Sequence, residues 1–219
     1  MAAAGANVGI CSLHTESVAA GVAELRAGAA ALGLAHSVKI AGFAADVSVG
    51  AQVQRLFEWF DREFAALDIL VNNAGIGIFK DLGTLDPEEW RAVLGTNLDS
   101  VYYAIHAALP RFRERGGGWI VNIASLAAKN PFAGGAAYNA SKFALCGLTE
   151  AVMLDHRYES VKVTSILPGS VSTDFGRGGK AEWKIAPEDV AEAVAMVLAM
   201  PDRTMISHVE IRPSKPPKR

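Results

Sequence analysis

Apolar and polar positions along the chain switch between two spacings. Short runs rich in Val, Ile and Leu mark strands, and longer stretches with apolar residues at i, i+3 and i+4 mark helices. Val8–Ser12 reads as a short strand, and 15–32 as a helix of good formers closed by Gly33 as its C-cap. Residues 38–45 read as the next strand, with Asp46 at its end. Ser48 is placed to cap a helix that carries Val53, Leu56, Phe57 and Phe60. Ile69, Leu70 and Val71 then predict a buried strand running into Asn72, Asn73, Ala74 and Gly75. Asp86, Pro87 and Glu89 spell a strong helix start, an N-cap followed by Pro at N1 and an acid at N3, and one helix continues to Pro110 or slightly beyond. After the glycines 116–118 come a strand over 119–124, a loop with Pro131, and a helix over 136–154. A strand over 161–167 ends at Pro168 and Gly169, a helix runs from Pro187 to Met200, and a strand over 209–211 precedes a Pro- and Lys-rich tail. This alternation, without internal repeat, predicts an α/β fold: a doubly wound parallel sheet in three layers.

A chain of 219 residues with 51% hydrophobic content supports one domain over 1–219, with 213–219 as a tail. The formal charge of −2 offers no basic footprint for nucleic acid. Cys11 and Cys146 form neither a disulfide framework nor a metal-ligand spacing, so no metal is expected; buried thiols in a reducing cytoplasm fit both. No apolar run is long enough for a membrane span, and residues 1–9 lack the charged start of a signal peptide.

The candidate chemistry lies in Tyr138, Asn139, Ala140, Ser141 and Lys142. Positions i and i+4 share a helix face, so the Tyr138 phenol and the Lys142 ammonium point into one space. A neighbouring positive charge favours phenolate, which predicts a tyrosine able to trade its proton near neutral pH. At the other end of the chain a piece is missing. A dinucleotide-binding fold begins with a strand, a glycine-rich turn and a helix N-terminus that receives the pyrophosphate. Residues 1–7 read instead as the tail of such a helix leading into a second strand.

Taken together, Asp46-Val47 after a strand, Asn72-Asn73-Ala74-Gly75, Asn97, Ser125 thirteen residues before Tyr138, the Tyr138/Lys142 pair, and Pro168-Gly169-Ser170-Val171-Ser172-Thr173 resemble the short-chain dehydrogenase/reductase family in order and spacing. The resemblance covers nearly the whole chain and includes members that reduce 3-oxoacyl carriers. It implies hydride transfer between NAD(P) and a small carbonyl or alcohol substrate. Tyr138 is then the acid/base, Ser125 the donor that orients the carbonyl oxygen, Lys142 the ligand of the ribose hydroxyls that lowers the tyrosine pKa, and Asn97 the holder of a water linked to the lysine. The bland alternatives are a turn cap for Ser125 and an internal helix Asn for Asn97.

For the cofactor, the resemblance implies contacts from Ser12, Asp46 and Val47 on the adenine side, and from Asn73, Ala74 and Gly75 at the nicotinamide-side ribose. Tyr138, Lys142, Pro168, Gly169, Val171 and Thr173 complete the set. Ser12-Leu13-His14-Thr15 has donors and no carboxylate to repel a 2′-phosphate, which favours NADP over NAD. Residues 174–185 form a short lid; Phe132, Phe175 and Trp183 either line the pocket or pack on the core, and Lys129, Arg177 and Lys180 are either anion-attracting or ordinary surface charges. The helices over 86–110 and 136–154 carry apolar residues round more than one face, including Val101, Tyr102, Ile105, Phe143 and Leu148, and the family's habit implies a homodimer or homotetramer through them.

The family's Thr-Gly-x-x-x-Gly-x-Gly turn has no counterpart here, and roughly 20 to 25 residues of a typical member's start are lacking. Two readings follow: an oxidoreductase, or an inactive scaffold. A start upstream of Met1 reconciles them. As written, the chain is expected to bind nicotinamide cofactor weakly, and to leave two unpaired strand edges where the missing strand belongs.

Overall fold

The computed structural model describes residues 1–175 and 179–217. They fall into two compact units, Met1–Leu67 and the part from Asp68 onward. The first unit holds β1 (Val8–Ser12), α1 (Thr15–Ala31), β2 (Ile40–Ala44) and α2 (Gly50–Glu63). β1 and β2 are parallel, with Ile10 opposite Gly42. Because successive strand residues point to opposite faces, Gly9 and Ile10 meet different helices. A Cβ on Gly9 would lie 3.1 Å from the Phe60 ring of α2, whereas one on Gly42 would lie 2.4 Å from Val18 of α1. Helices therefore cover both faces of this pair. Gly33 adopts φ 73° just beyond α1, where Leu34 N–H returns to Ala29 O at 2.8 Å, a Schellman-type closure that spares a side chain the left-handed strain.

The second unit contains β3 (Ile69–Asn72), α3 (Pro87–Leu94), α4 (Ser100–Arg115), β4 (Gly118–Ile123), α5 (Ala136–His156), β5 (Val161–Pro168), α6 (Pro187–Leu198) and β6 (His208–Ile211). Its strands form one parallel sheet in the order β3-β4-β5-β6. On one face Trp119, Val121 and Ile166 pack with Val194 and Val197 of α6. The other face receives α4 and α5. There a Cβ on Gly118 would lie 2.1 Å from the Phe112 ring, and Asn122 donates to Thr149 Oγ1 at 2.9 Å. At the start of α3, Glu89 Oε2 accepts the Asp86 N–H at 3.1 Å, the reach-back arm expected of a capping box.

Five expectations need correction. β2 begins at Ile40, because Val38 is held in a turn through its N–H to Leu34 O at 3.3 Å. Ser48 does not cap α2; its N–H and hydroxyl both donate to Asp46 Oδ1, at 2.9 and 2.6 Å, and Val49 takes the N-cap position. The helix expected from 86 to Pro110 or slightly beyond is interrupted by a π turn at Gly95–Asp99, and its run past Pro110 reaches Arg115. Every residue of β3 is half-buried, where full burial was expected. Cys11 is exposed and Cys146 half-buried.

The exposure of β1 and β3 shares a cause. Among the described residues β1 pairs with β2 alone and β3 with β4 alone, so each keeps an open edge of N–H and C=O groups.

Candidate active site

α5 brings most of the site together. Tyr138, Ser141, Lys142 and Leu145 recur at i, i+3, i+4 and i+7 and are all buried; Ser141 is 0%, Lys142 4% and Tyr138 9% exposed. A lysine at that depth is unusual. Lys142 Nζ donates to Ile123 O at the end of β4, 3.0 Å away. Burial, slightly opposed by Cys146 one turn on, pushes its ammonium down to about 8.

Asn97 sits in the π turn and is 1% exposed. Its Oδ1 accepts Ile76 N–H at 2.8 Å, while its Nδ2 donates to Ile76 O at 2.9 Å and to Ser141 Oγ at 3.0 Å. The side chain thus clamps the loop after β3 to α5. Wide turns of this kind often occur at functional positions. A Cβ on Gly75 would lie 3.3 Å from Asn97 Oδ1 and 3.7 Å from Lys142 Nζ, so the missing side chain keeps open a space that both residues border.

The turn-cap reading of Ser125 is the one its hydrogen bond bears out. Its hydroxyl accepts Ala127 N–H at 3.1 Å, capping a short 3-10 turn, and its proximity pulls the Tyr138 pKa down. The tyrosine pKa expectation fails in the free chain. Burial raises Tyr138 above its ordinary value, Ser125 offsets part of that rise, and Lys142 Nζ lies 5.8 Å from the ring centroid while donating to Ile123.

The remaining expected cofactor residues divide between the units. In the first unit Ser12 ends β1 and its carbonyl accepts Ala45 N–H at 3.0 Å; Asp46 anchors the turn described above, with Val47 inside it. In the second unit Asn73 and Ala74 are exposed beside Gly75. Pro168 ends β5, and Gly169 N–H reaches Ile211 O at 2.8 Å. Val171 bridges Ile185, and Thr173 Oγ1 accepts Phe175 N–H at 3.3 Å.

Phe132 and Phe175 contact the Tyr138 ring, and Phe79 joins all three. Trp183 packs against Lys184, whose Nζ lies 5.8 Å from its centroid. The surface-charge reading holds for two of the three cations. Lys129 pairs with Glu210, whose carboxyl is held down to about 2 by Lys129 and Arg212, and Lys180 lies 3.5 Å from Asp174. Arg177 lies outside the described residues.

Sequence reasoning missed Ser141, Ile76 and Phe79. Ser141 was detectable, since it shares the α5 face with Lys142; Ile76 acts through its backbone and Phe79 sits in an irregular loop, so neither had a signal. Among the described residues no group of His, Cys, Asp or Glu is placed to hold a metal ion, and no helix is long and apolar enough to cross a membrane.

The comparisons place the chain in a family of oxidoreductases. A sequence profile described as short chain dehydrogenase matches residues 1–182, and the chain belongs to that family. An uncharacterized oxidoreductase of Staphylococcus saprophyticus is 33% identical over 172 residues, covering 77% of this chain and 73% of the relative. Among solved structures, a metagenomic short-chain oxidoreductase in complex with NADP is similar at TM-score 0.83 and 32% identity, over 98% of this chain and 89% of that one. The 3-ketoacyl-(acyl-carrier-protein) reductase of Brucella melitensis complexed with NADH matches at TM-score 0.84 and 28% identity, over 97% and 89%.

Proposed function

We propose that the protein reduces a carbonyl compound, or oxidises the matching alcohol, with a nicotinamide nucleotide. The observation that carries this reading is the burial of the Tyr138 phenol and the Lys142 ammonium on one helix face, 9% and 4% exposed. Ser125 donates to the carbonyl oxygen and holds it beside Tyr138. Tyr138 gives its proton to that oxygen, and the charged Lys142 stabilises the phenolate left behind. Asn97 acts by position, fixing the 76 loop against α5. When bound, the dihydronicotinamide supplies the hydride to the carbonyl carbon.

The residues present fit the nicotinamide-ribose half of such a cofactor. Gly75 leaves room next to Lys142 Nζ, and Asn73 and Ala74 are exposed beside it. Val171 and Thr173 are the nicotinamide-side contacts of this reading, and Ser12, Asp46 and Val47 its adenine-side contacts. The stretch from Ser12 to Thr15, free of carboxylates, supports NADP over NAD. Free thiols fit a reducing cytoplasm.

The open edges of β1 and β3 favour a second reading, that of a scaffold which binds cofactor poorly. On that reading the 219-residue chain binds NADPH weaker than micromolar by calorimetry. It is nonetheless expected to oxidise NADPH in the presence of a ketone panel when the cofactor is raised to millimolar levels. Tight micromolar binding would show that another segment receives the pyrophosphate; no ketone-dependent oxidation at any cofactor level would leave the scaffold.

The apolar residues on α4 and α5 support self-association. Val101, Ile105, Ala108 and Leu145 are buried within the chain, whereas Tyr102 and Phe143 are exposed. A groove of about 200 Å³ runs between the helices, lined by Tyr102, Ile105, His106, Leu109, Leu148 and Val152. A homodimer or homotetramer about a twofold axis covers this face. Sedimentation at micromolar concentration is expected to show a dimer or larger, and Tyr102→Glu to yield monomer; a monomeric parent protein refutes it.

A further inference from the structure

The rings of Phe79, Phe132 and Phe175 cluster on that of Tyr138. The Phe79 ring centroid lies 5.5 Å from that of Tyr138, 5.6 Å from Phe132 and 6.4 Å from Phe175; Phe132 and Phe175 lie 6.3 and 5.8 Å from Tyr138. Interplanar angles of 44° to 75° (44°, 52°, 57°, 74° and 75°) make the set tilted or edge-on, so it offers both ring faces and ring edges. Aromatic groups attract one another in those orientations at such separations.

The backbone is cut to hold the rings there. A Cβ on Gly77 would stand 2.5 Å from the Phe79 ring and 3.2 Å from Phe175, and a Cβ on Gly135 would stand 2.5 Å from Phe132. Asn139 Nδ2 fixes the Phe132 carbonyl at 2.9 Å. Phe132 and Phe175 nonetheless remain 46% and 45% exposed. Rings held in place yet half in water leave apolar surface beside the reacting group, the arrangement of a binding wall.

Resting on the carbonyl-reduction reading, we propose that Phe79, Phe132 and Phe175 select substrates whose carbonyl carbon is bonded directly to an aromatic ring, namely aryl ketones and aromatic aldehydes. With the carbonyl oxygen on Tyr138 and Ser125, the ring of such a substrate falls immediately beside Tyr138, among the three phenylalanines. The reaction takes hydride from the dihydronicotinamide to the carbonyl carbon and a proton from Tyr138 to the oxygen, giving the aryl carbinol and the oxidised nucleotide. A saturated chain of the same size buries similar area but lacks the edge-to-face attraction.

The test is direct binding of acetophenone and of cyclohexyl methyl ketone, which have the same carbon count and differ in aromaticity. Dissociation constants are measured by ligand-observed NMR on the parent chain without added nucleotide, so that the result does not depend on hydride transfer. Acetophenone is expected to bind about tenfold tighter. Phe79→Leu is expected to bring the ratio near one through weaker acetophenone binding, and Phe132→Leu, a change at a half-exposed ring, to lower it about threefold. Equal binding of the two ketones to the parent chain overturns the proposal, as does a ratio that survives both leucine variants. Absence of turnover with a preserved binding ratio would count against the carbonyl-reduction reading alone.

Discussion

Tyr138→Phe is expected to lower ketone-dependent NADPH oxidation by roughly a hundredfold to ten-thousandfold, the range for removing a positioned general acid. The change is confined to one oxygen. The Tyr138 ring keeps its contacts with Phe79, Phe132 and Phe175, and Ser125 keeps Ala127 N–H as a donor to its hydroxyl. What disappears is the phenol, already pushed above its ordinary pKa by burial and therefore protonated at neutral pH, the state required of a proton donor. Loss of the polar interaction with Ser125 costs at most about 1 kcal/mol, partly returned because a buried polar group is gone. Thermal unfolding should shift little while turnover collapses. Turnover equal to that of the parent would remove Tyr138 from the mechanism.

Lys142→Met is expected to abolish activity and stabilise the protein at pH 7. In the folded chain the lysine pKa falls from 10.5 to about 8, mainly because burial disfavours the ammonium. Below pH 8 the lysine is charged in both states, so the folded state bears the full desolvation cost, roughly 3 kcal/mol for a shift of this size. As pH rises from about 8 towards 10.5 the unfolded chain holds the extra proton, and stability climbs. Methionine removes the cost but leaves Ile123 O without its donor, a loss of about 1 kcal/mol. A net gain of about 2 kcal/mol at pH 7, shrinking towards pH 10.5, should appear in urea unfolding. In the parent, carbonyl reduction should decline above about pH 8 as Lys142 loses its charge. A destabilised Lys142→Met chain, or a parent rate still rising past pH 9, would contradict this account.

Much of the frame is legible in the residues because its elements follow their own periodicity. The β1 strand and the start of α5 fall where the pattern puts them, and the i, i+4 rule already joins Tyr138 to Lys142. What escaped follows from tertiary context. The apolar spacing of α3 and α4 runs on through Gly95–Asp99, and a π turn has no residue signature of its own, so Asn97 reads as an internal helix residue until its bonds to Ile76 and Ser141 are seen. Ile69, Leu70 and Val71 spell a buried strand, but burial depends on a neighbour at the β3 edge, which composition does not report. The effect of Lys142 on Tyr138 also depended on distance. One helix face does not guarantee contact, and Lys142 turns to Ile123 O. Phe79, the hub of the aromatic cluster, lies in a loop without periodicity.

The central claim is that the Ser125, Tyr138 and Lys142 set supports hydride transfer to a carbonyl carbon. It is tested most directly by incubating the protein with millimolar NADPH deuterated at the transferred C4 position and acetophenone, and examining the alcohol by mass spectrometry and deuterium NMR. Sensitivity to a few turnovers makes weak cofactor binding no obstacle. The account predicts 1-phenylethanol carrying deuterium on the carbinol carbon from the parent chain, and at least about a hundredfold less from Tyr138→Phe. Labelled alcohol formed equally by both chains, or none from the parent with acetophenone or with any aliphatic ketone, would contradict it.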